Sequence, residues 1–188
     1  LEFNRDLLRL FWDEREGGLF FYGSDVEEEI LRPKEVYDGS TPSANSITAM
    51  NLVRLSRMAD SPELEEKASQ LLTAFASTVK QYPAVYSALL TAAMYLLYPS
   101  REIIVVGEKD NREAKKMLEL INASFLPNSI VMFRRLPDDG VTELNPRLGA
   151  YESLDGEATA YVCQDYACQA PVVSASDLKG LIEPTIRQ

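Results

Sequence analysis

Glu35 to Met58 reads EVYDGSTPSANSITAMNLVRLSRM, which sets Tyr37, Asp38, Ser43 and Asn45 directly ahead of an apolar helical run. Backbone N–H groups at a helix start favour anionic or hydroxyl-rich ligands. A carboxylate and an aromatic ring beside them could hold such a ligand. Capping explains Ser43 and Asn45 well, because both types accept from the first turn of a helix. It explains Tyr37 and Asp38 less well. Upstream, FWDEREGGLFF pairs Trp12 with Asp13 just before the Gly17-Gly18 turn. A ring stacks on sugar C–H groups and a carboxylate accepts from hydroxyls. The plainer alternative is a core Trp12 and a solvated last-turn Asp13.

Two further clusters carry chemistry-bearing types. CQDYAC holds Cys163 and Cys168, five positions apart. Zinc would need two more ligands. A disulfide can form, because that separation brings the Cβ atoms within reach in a loop. A redox role is weaker, since the spacing is not C-x-x-C. Two reduced, structural cysteines are the favoured reading. VVGEKDN places Gly107 at the end of a strand, where a ligand crevice could open. No phosphate-binding glycine motif accompanies it, so an ordinary strand-to-helix turn is expected. No motif implies a cofactor or a metal.

The chain of 188 residues contains no histidine, which removes the commonest general base and zinc ligand. Its net charge is -10, so nucleic acid and anionic membranes are disfavoured as partners. The longest apolar run, Ala84 to Tyr98, is shorter than the roughly 20 residues a bilayer needs. A helix buried on all sides is expected there. There is no signal-peptide pattern, and a cytoplasmic location is favoured. The chain opens at Leu1 in a helical pattern, as a piece cut from a longer protein would.

These residues need elements to position them. The first half reads as helices, with LFFY as a short strand followed by the acidic turn GSDVEEEI. One helix is expected from near Ser43 to about Ala59. DSPELEEKASQLLTAFASTVKQYP gives another, with Ser61 as cap, Pro62 in the first turn and a stripe of Leu64, Ala68, Leu71, Leu72, Phe75 and Val79. Pro83 then opens the apolar helix, making an αα-hairpin with a wet outer and an apolar inner member. From Pro99 the pattern changes. REIIVVG reads as a strand covered on both faces, NREAKKMLELINASF as a helix and NSIVMFRRL as a second strand in a βαβ crossover. ATAYVCQ is a possible third strand, and SASDLKGLIEP a short last helix ended by Pro184. The fold class is mainly α, over 1–98, with an α/β annex over 99–188.

FWDEREGGLFF, RPKEVYDGSTPSANSITAMNLVRL and YVCQDYACQAP, in that order, resemble the carboxyl-terminal part of the DUF255 family of YyaL-like and spermatogenesis-associated protein 20-like proteins. The resemblance implies the last hairpins of an (α/α)6 toroid of the six-hairpin-glycosidase type, plus a small parallel βαβ region. It implies an upstream thioredoxin-like domain in the full-length protein. It also implies a sugar pocket at one end of the inner helices, with Tyr37, Asp38, Ser43 and Asn45 at its mouth and Trp12 and Asp13 nearby. On that reading the chain is part of a carbohydrate-active or sugar-binding protein, glycosidase-like or epimerase-like. Asp38 is then the first candidate acid/base, with Glu35 or Asp13 as partner, at roughly 5–5.5 Å for retention or 6.5–9.5 Å for inversion. The absence of histidine counts against an epimerase step here. The alternative is a non-catalytic scaffold that works with the thioredoxin-like domain in redox or protein-folding tasks, with Cys163 and Cys168 as its redox candidates. A cut toroid exposes apolar surface, so self-association as a two-fold dimer is expected.

Overall fold

The computed structural model describes residues 1–26, 32–137, 140–164 and 167–183. The chain forms two compact units. The first comprises Leu1–Arg57 with Ser61–Tyr98, and the second Met58–Asp60 with Pro99–Gln188.

The first unit is helical. Its helices are α1 (Glu2–Phe11), α2 (Ala44–Met58, which ends in the second unit), α3 (Pro62–Gln81) and α4 (Ser87–Leu97). Ser61 caps α3 through its hydroxyl, which accepts from the Leu64 amide, and Pro62 sits where no intrahelical donor is needed. The apolar stripe of α3 divides. Ala68, Leu71 and Phe75 are buried, while Leu72 and Val79 line a groove against α4.

Two expectations are corrected here. LFFY forms no strand; an isolated bridge joins Trp12 to Leu19 across the glycine turn. The apolar run also starts later and is wetter than expected. Pro83–Val85 is a separate 3-10 turn, and α4 buries only Leu89, Ala92 and Tyr95. Met94 and Leu97 on its other side are 55% and 75% exposed. Residues 27–30 of the acidic turn lie outside the described residues.

The second unit carries a four-stranded sheet in the order β2-β1-β3-β4, from β1 (Arg101–Glu108), β2 (Ser129–Leu136), β3 (Thr159–Gln164) and β4 (Ala167–Cys168). β1 pairs in parallel with β2 through the crossover helix α5 (Arg112–Ala123). That parallel pair is the βαβ region expected; β3, for which the sequence set no direction, pairs with β1 antiparallel, so the sheet as a whole is mixed. The reason is local. The segment before β3 is spent on α6 (Val141–Leu144) and two 3-10 turns, and it supplies no crossover helix long enough to return the chain in parallel. The helix α7 (Ala175–Ile182) packs on α5 and β3. Pro184, expected to end that helix, lies outside the described residues.

Ile103 to Val106 are all fully buried, as a continuous β-branched run in a central strand requires. Ile103 and Val105 join Met117, Ile121, Val162 and Leu178 in one core. Gly107 ends this run in a tight place: a Cβ there would lie 3.3 Å from Ala114 Cβ and 3.4 Å from Ala158 Cβ. Met117 has no solvent exposure at the centre of this core. Met117→Ala should destabilise the second unit by about 2–5 kcal/mol in a urea titration, the usual range for emptying such a site.

Candidate functional site

The glycine turn after α1 is fixed first. Gly17 and Gly18 both have positive φ, at 77° and 79°. A Cβ on Gly18 would lie 2.9 Å from the Phe75 ring, so conformation and space both demand glycine. The turn presents Leu19 to Asn45. Asn45 Oδ1 accepts from the Leu19 amide at 2.6 Å, and its Nδ2 donates to the carbonyls of Leu19 at 3.0 Å and Glu35 at 2.7 Å. Asn45 is buried, and its side chain serves as a clamp between segments, not as a local cap. Ser43 is the local cap: its hydroxyl accepts from the Ser46 amide at 3.0 Å.

Asp38 is held at both ends. Its amide donates to the Val85 carbonyl at 3.0 Å. Its Oδ1 accepts from the Ser43 amide at 2.9 Å, and its Oδ2 accepts from the amides of Ala88 at 2.9 Å and Leu89 at 3.2 Å. Tyr86, at the cap position of α4, supplies no side-chain acceptor of its own. Asp38, 50 residues earlier, takes that place. One carboxylate therefore closes the starts of α2 and α4 together, where the helix dipoles favour negative charge. Both of its oxygens face backbone donors.

Asp13 is buried and pairs with Lys34 Nζ at 2.6 Å. It also accepts from the Arg15 amide at 2.8 Å and the Glu16 amide at 3.4 Å. Burial pushes its pKa up, but the Lys34 ammonium and the two amides together outweigh that, and the carboxyl is held below its ordinary value. Trp12 is buried, with Lys67 Nζ 4.6 Å from its ring centroid, so a cation occupies a ring face that a sugar would need. Glu35 has an exposed side chain. Tyr37 is 54% exposed, and its ring lies beside Gly39, where a Cβ would come within 3.0 Å of it.

The candidate residues thus gather by backbone contacts around Leu19, Glu35 and the two helix starts. None of them lines the groove between α3 and α4, a cavity of about 760 Å³ whose walls include Leu72, Ala76, Leu89, Leu90, Ala93 and Leu97. Lys34 and Lys67, which neutralise Asp13 and cover Trp12, carry no motif that spacing could reveal.

In the second unit the sulfurs of Cys163 and Cys168 are bonded, which corrects the expectation of two reduced cysteines. The physical cause is register: β3 and β4 place the two residues directly opposite each other. Tyr151, also without a sequence signal, sets its hydroxyl 3.7 Å from Cys163 Sγ and 3.8 Å from Cys168 Sγ. Among the described residues no cluster of His, Cys, Asp or Glu is grouped to hold a metal ion. Nor is any described helix long and apolar enough to cross a membrane.

No family model matches the chain. It is similar to spermatogenesis-associated protein 20 of Homo sapiens, at 29% identity over 94% of this chain and 23% of that protein. The same-named protein of Mus musculus is 27% identical over 93% of the chain and 22% of its own length. A Caenorhabditis elegans protein, named only as uncharacterized, is 25% identical over 91% of the chain and 23% of its own length. The chain therefore spans less than a quarter of the length of these relatives.

Two outcomes are expected. Asp38→Ala leaves three amides without their acceptor and should cost about 1–3 kcal/mol, measured by urea unfolding. Asp38→Asn, which keeps one acceptor oxygen, should cost less. The second concerns acid. Because the folded pKa of Asp13 is lowered, its contribution to stability is complete above the unfolded carboxylate value and is lost as pH falls through the folded one. Carboxyl NMR should show Asp13 titrating below an ordinary aspartate, and Lys34→Met should move it upward.

Proposed function

We propose that this chain is a non-catalytic scaffold segment of a larger helical protein. The observation that carries this reading is Asp38, whose two carboxylate oxygens are both engaged by backbone amides of two helix starts. A general acid or base must reach its substrate within hydrogen-bond distance, and the three amides already take three of the roughly four acceptor sites of this carboxylate. Asp13 is likewise engaged, by Lys34 and two amides, and an ionised, low-pKa carboxylate is poorly suited to donate a proton. The groove between α3 and α4 supports the wider architecture. Its apolar walls fit a hairpin that packs against further helices, as in a toroid of the six-hairpin-glycosidase type in the DUF255 family. Relatives more than four times as long have room for those helices. In the isolated chain a second copy covers the same face, so sedimentation should show a dimer at high concentration.

One observation favours a second reading, sugar binding. The Tyr37 ring is the exposed aromatic of the opening stretch and stands next to the Asp38 turn. Such a ring is a stacking platform.

A melting screen of the full-length protein against mono- and oligosaccharides separates the two. A ligand that binds the native state raises the midpoint. On the scaffold reading no saccharide shifts the midpoint in a way that depends on Tyr37 or Asp38, and Asp38→Asn lowers it with or without sugar. A saccharide shift that disappears in folded Tyr37→Ala or Asp38→Asn would replace the scaffold with a sugar site.

A further inference from the structure

The Cys163–Cys168 pair differs from a buried structural staple in three respects, all within the second unit. First, its two sulfurs are unequal: Cys163 is 4% exposed on the inner strand β3, whereas Cys168 is exposed on the outermost strand β4. An incoming thiolate meets Cys168 first. Second, the pair encloses only a short loop, with a sequence separation of 5. A cross-link over so few residues removes less entropy from the unfolded chain than one over a long loop, about 2 kcal/mol, the low end of the usual range. Third, a proton donor is in place. Neither sulfur of a disulfide carries a hydrogen, so in the contacts of 3.7 and 3.8 Å the Tyr151 hydroxyl is the donor.

Tyr151 is itself held. Its carbonyl accepts from an Arg134 guanidinium nitrogen, and its ring meets Tyr161 edge-to-face at 5.0 Å. The ring and main chain are thus fixed, and the hydroxyl also meets the Arg147 guanidinium.

We propose that Cys163–Cys168 is a thiol–disulfide exchange site, with Cys168 as the attacked sulfur, Cys163 as the leaving sulfur and Tyr151 as the donor to the leaving thiolate. This goes beyond the scaffold reading and does not depend on it. The co-reactant is a thiol reductant. Its thiolate forms a new S–S bond to Cys168 as the Cys163–Cys168 bond breaks. The electron pair passes to Cys163 Sγ, where the Tyr151 O–H stabilises the developing charge before solvent supplies a proton. A second thiolate then attacks the external sulfur of the mixed disulfide and releases Cys168 as a thiolate, which is protonated in turn. Two external thiols are oxidised to one disulfide, and the protein pair is reduced by two electrons.

The test uses glutathione on the whole oxidised chain without denaturant, followed by acid quench, alkylation and peptide mass spectrometry. The expected result is an early adduct of one glutathione on Cys168 with Cys163 alkylated, and later both cysteines alkylated with the circular dichroism of the fold retained. An adduct mainly on Cys163, or reaction only after denaturation, would overturn the site. Tyr151→Phe keeps the ring and the main-chain carbonyl and removes only the hydroxyl. It should slow reduction severalfold at neutral pH while leaving the circular dichroism of the fold unchanged and costing only the small stability of one Arg147 contact. An unchanged rate in this variant would remove Tyr151 from the mechanism.

Discussion

The helical unit depends on one carboxylate. Asp38 meets amides left without intrahelical partners at the starts of α2 and α4, which lie far apart in the chain. Helix starts leave four donors each without intrahelical partners, and a single anion between two such starts answers part of both needs. The bond from the Asp38 amide to the Val85 carbonyl fixes the same turn from its other side. Asn45 then ties α2 to Leu19 and Glu35. The polar residues of the opening stretch are therefore cross-braces between segments.

The second unit repeats the device. Glu113, in the first turn of α5, accepts from the Ala175 amide at 2.8 Å and so closes the start of α7. Lys116 lies 2.8 Å from the same carboxylate. Those two contacts hold the Glu113 carboxyl below its ordinary pKa, the amide being the larger cause. In both units an acidic side chain from one element satisfies the backbone of another. This gives the negative charge of the chain a structural use that composition alone does not suggest.

Local patterns were legible in the sequence, and long-range ones were not. The Ser61-Pro62 start of α3, the β-branched run of β1 and the apolar face of α5 all follow from short-range preferences that packing then confirms. The apolar run at Ala84–Tyr98 misled because composition reports how greasy a helix is, not what covers it; Met94 and Leu97 remain exposed. The direction of β3 depended on the residues before it, whose short turns carry little periodic signal. The site showed the same limit. Asp38 stood out because only one of its carboxylate partners, the Ser43 amide, is local, while the other two lie 50 and 51 positions away. Tyr151 gave no signal, since only the fold sets it beside the two sulfurs.

The strand order has a consequence for the growing chain. β1 lies between β2 and β3, with its parallel neighbour starting at Ser129 and its antiparallel one at Thr159. As the ribosome delivers the chain from its amino end, β1, α5 and β2 emerge together and can assemble as a βαβ unit. The other edge of β1, rich in Ile and Val, must wait for β3. During that interval an apolar strand edge stands open, the kind of surface to which chaperones and neighbouring nascent chains attach. The sheet of the second unit is therefore complete only once β3, which ends at Gln164, has left the ribosome.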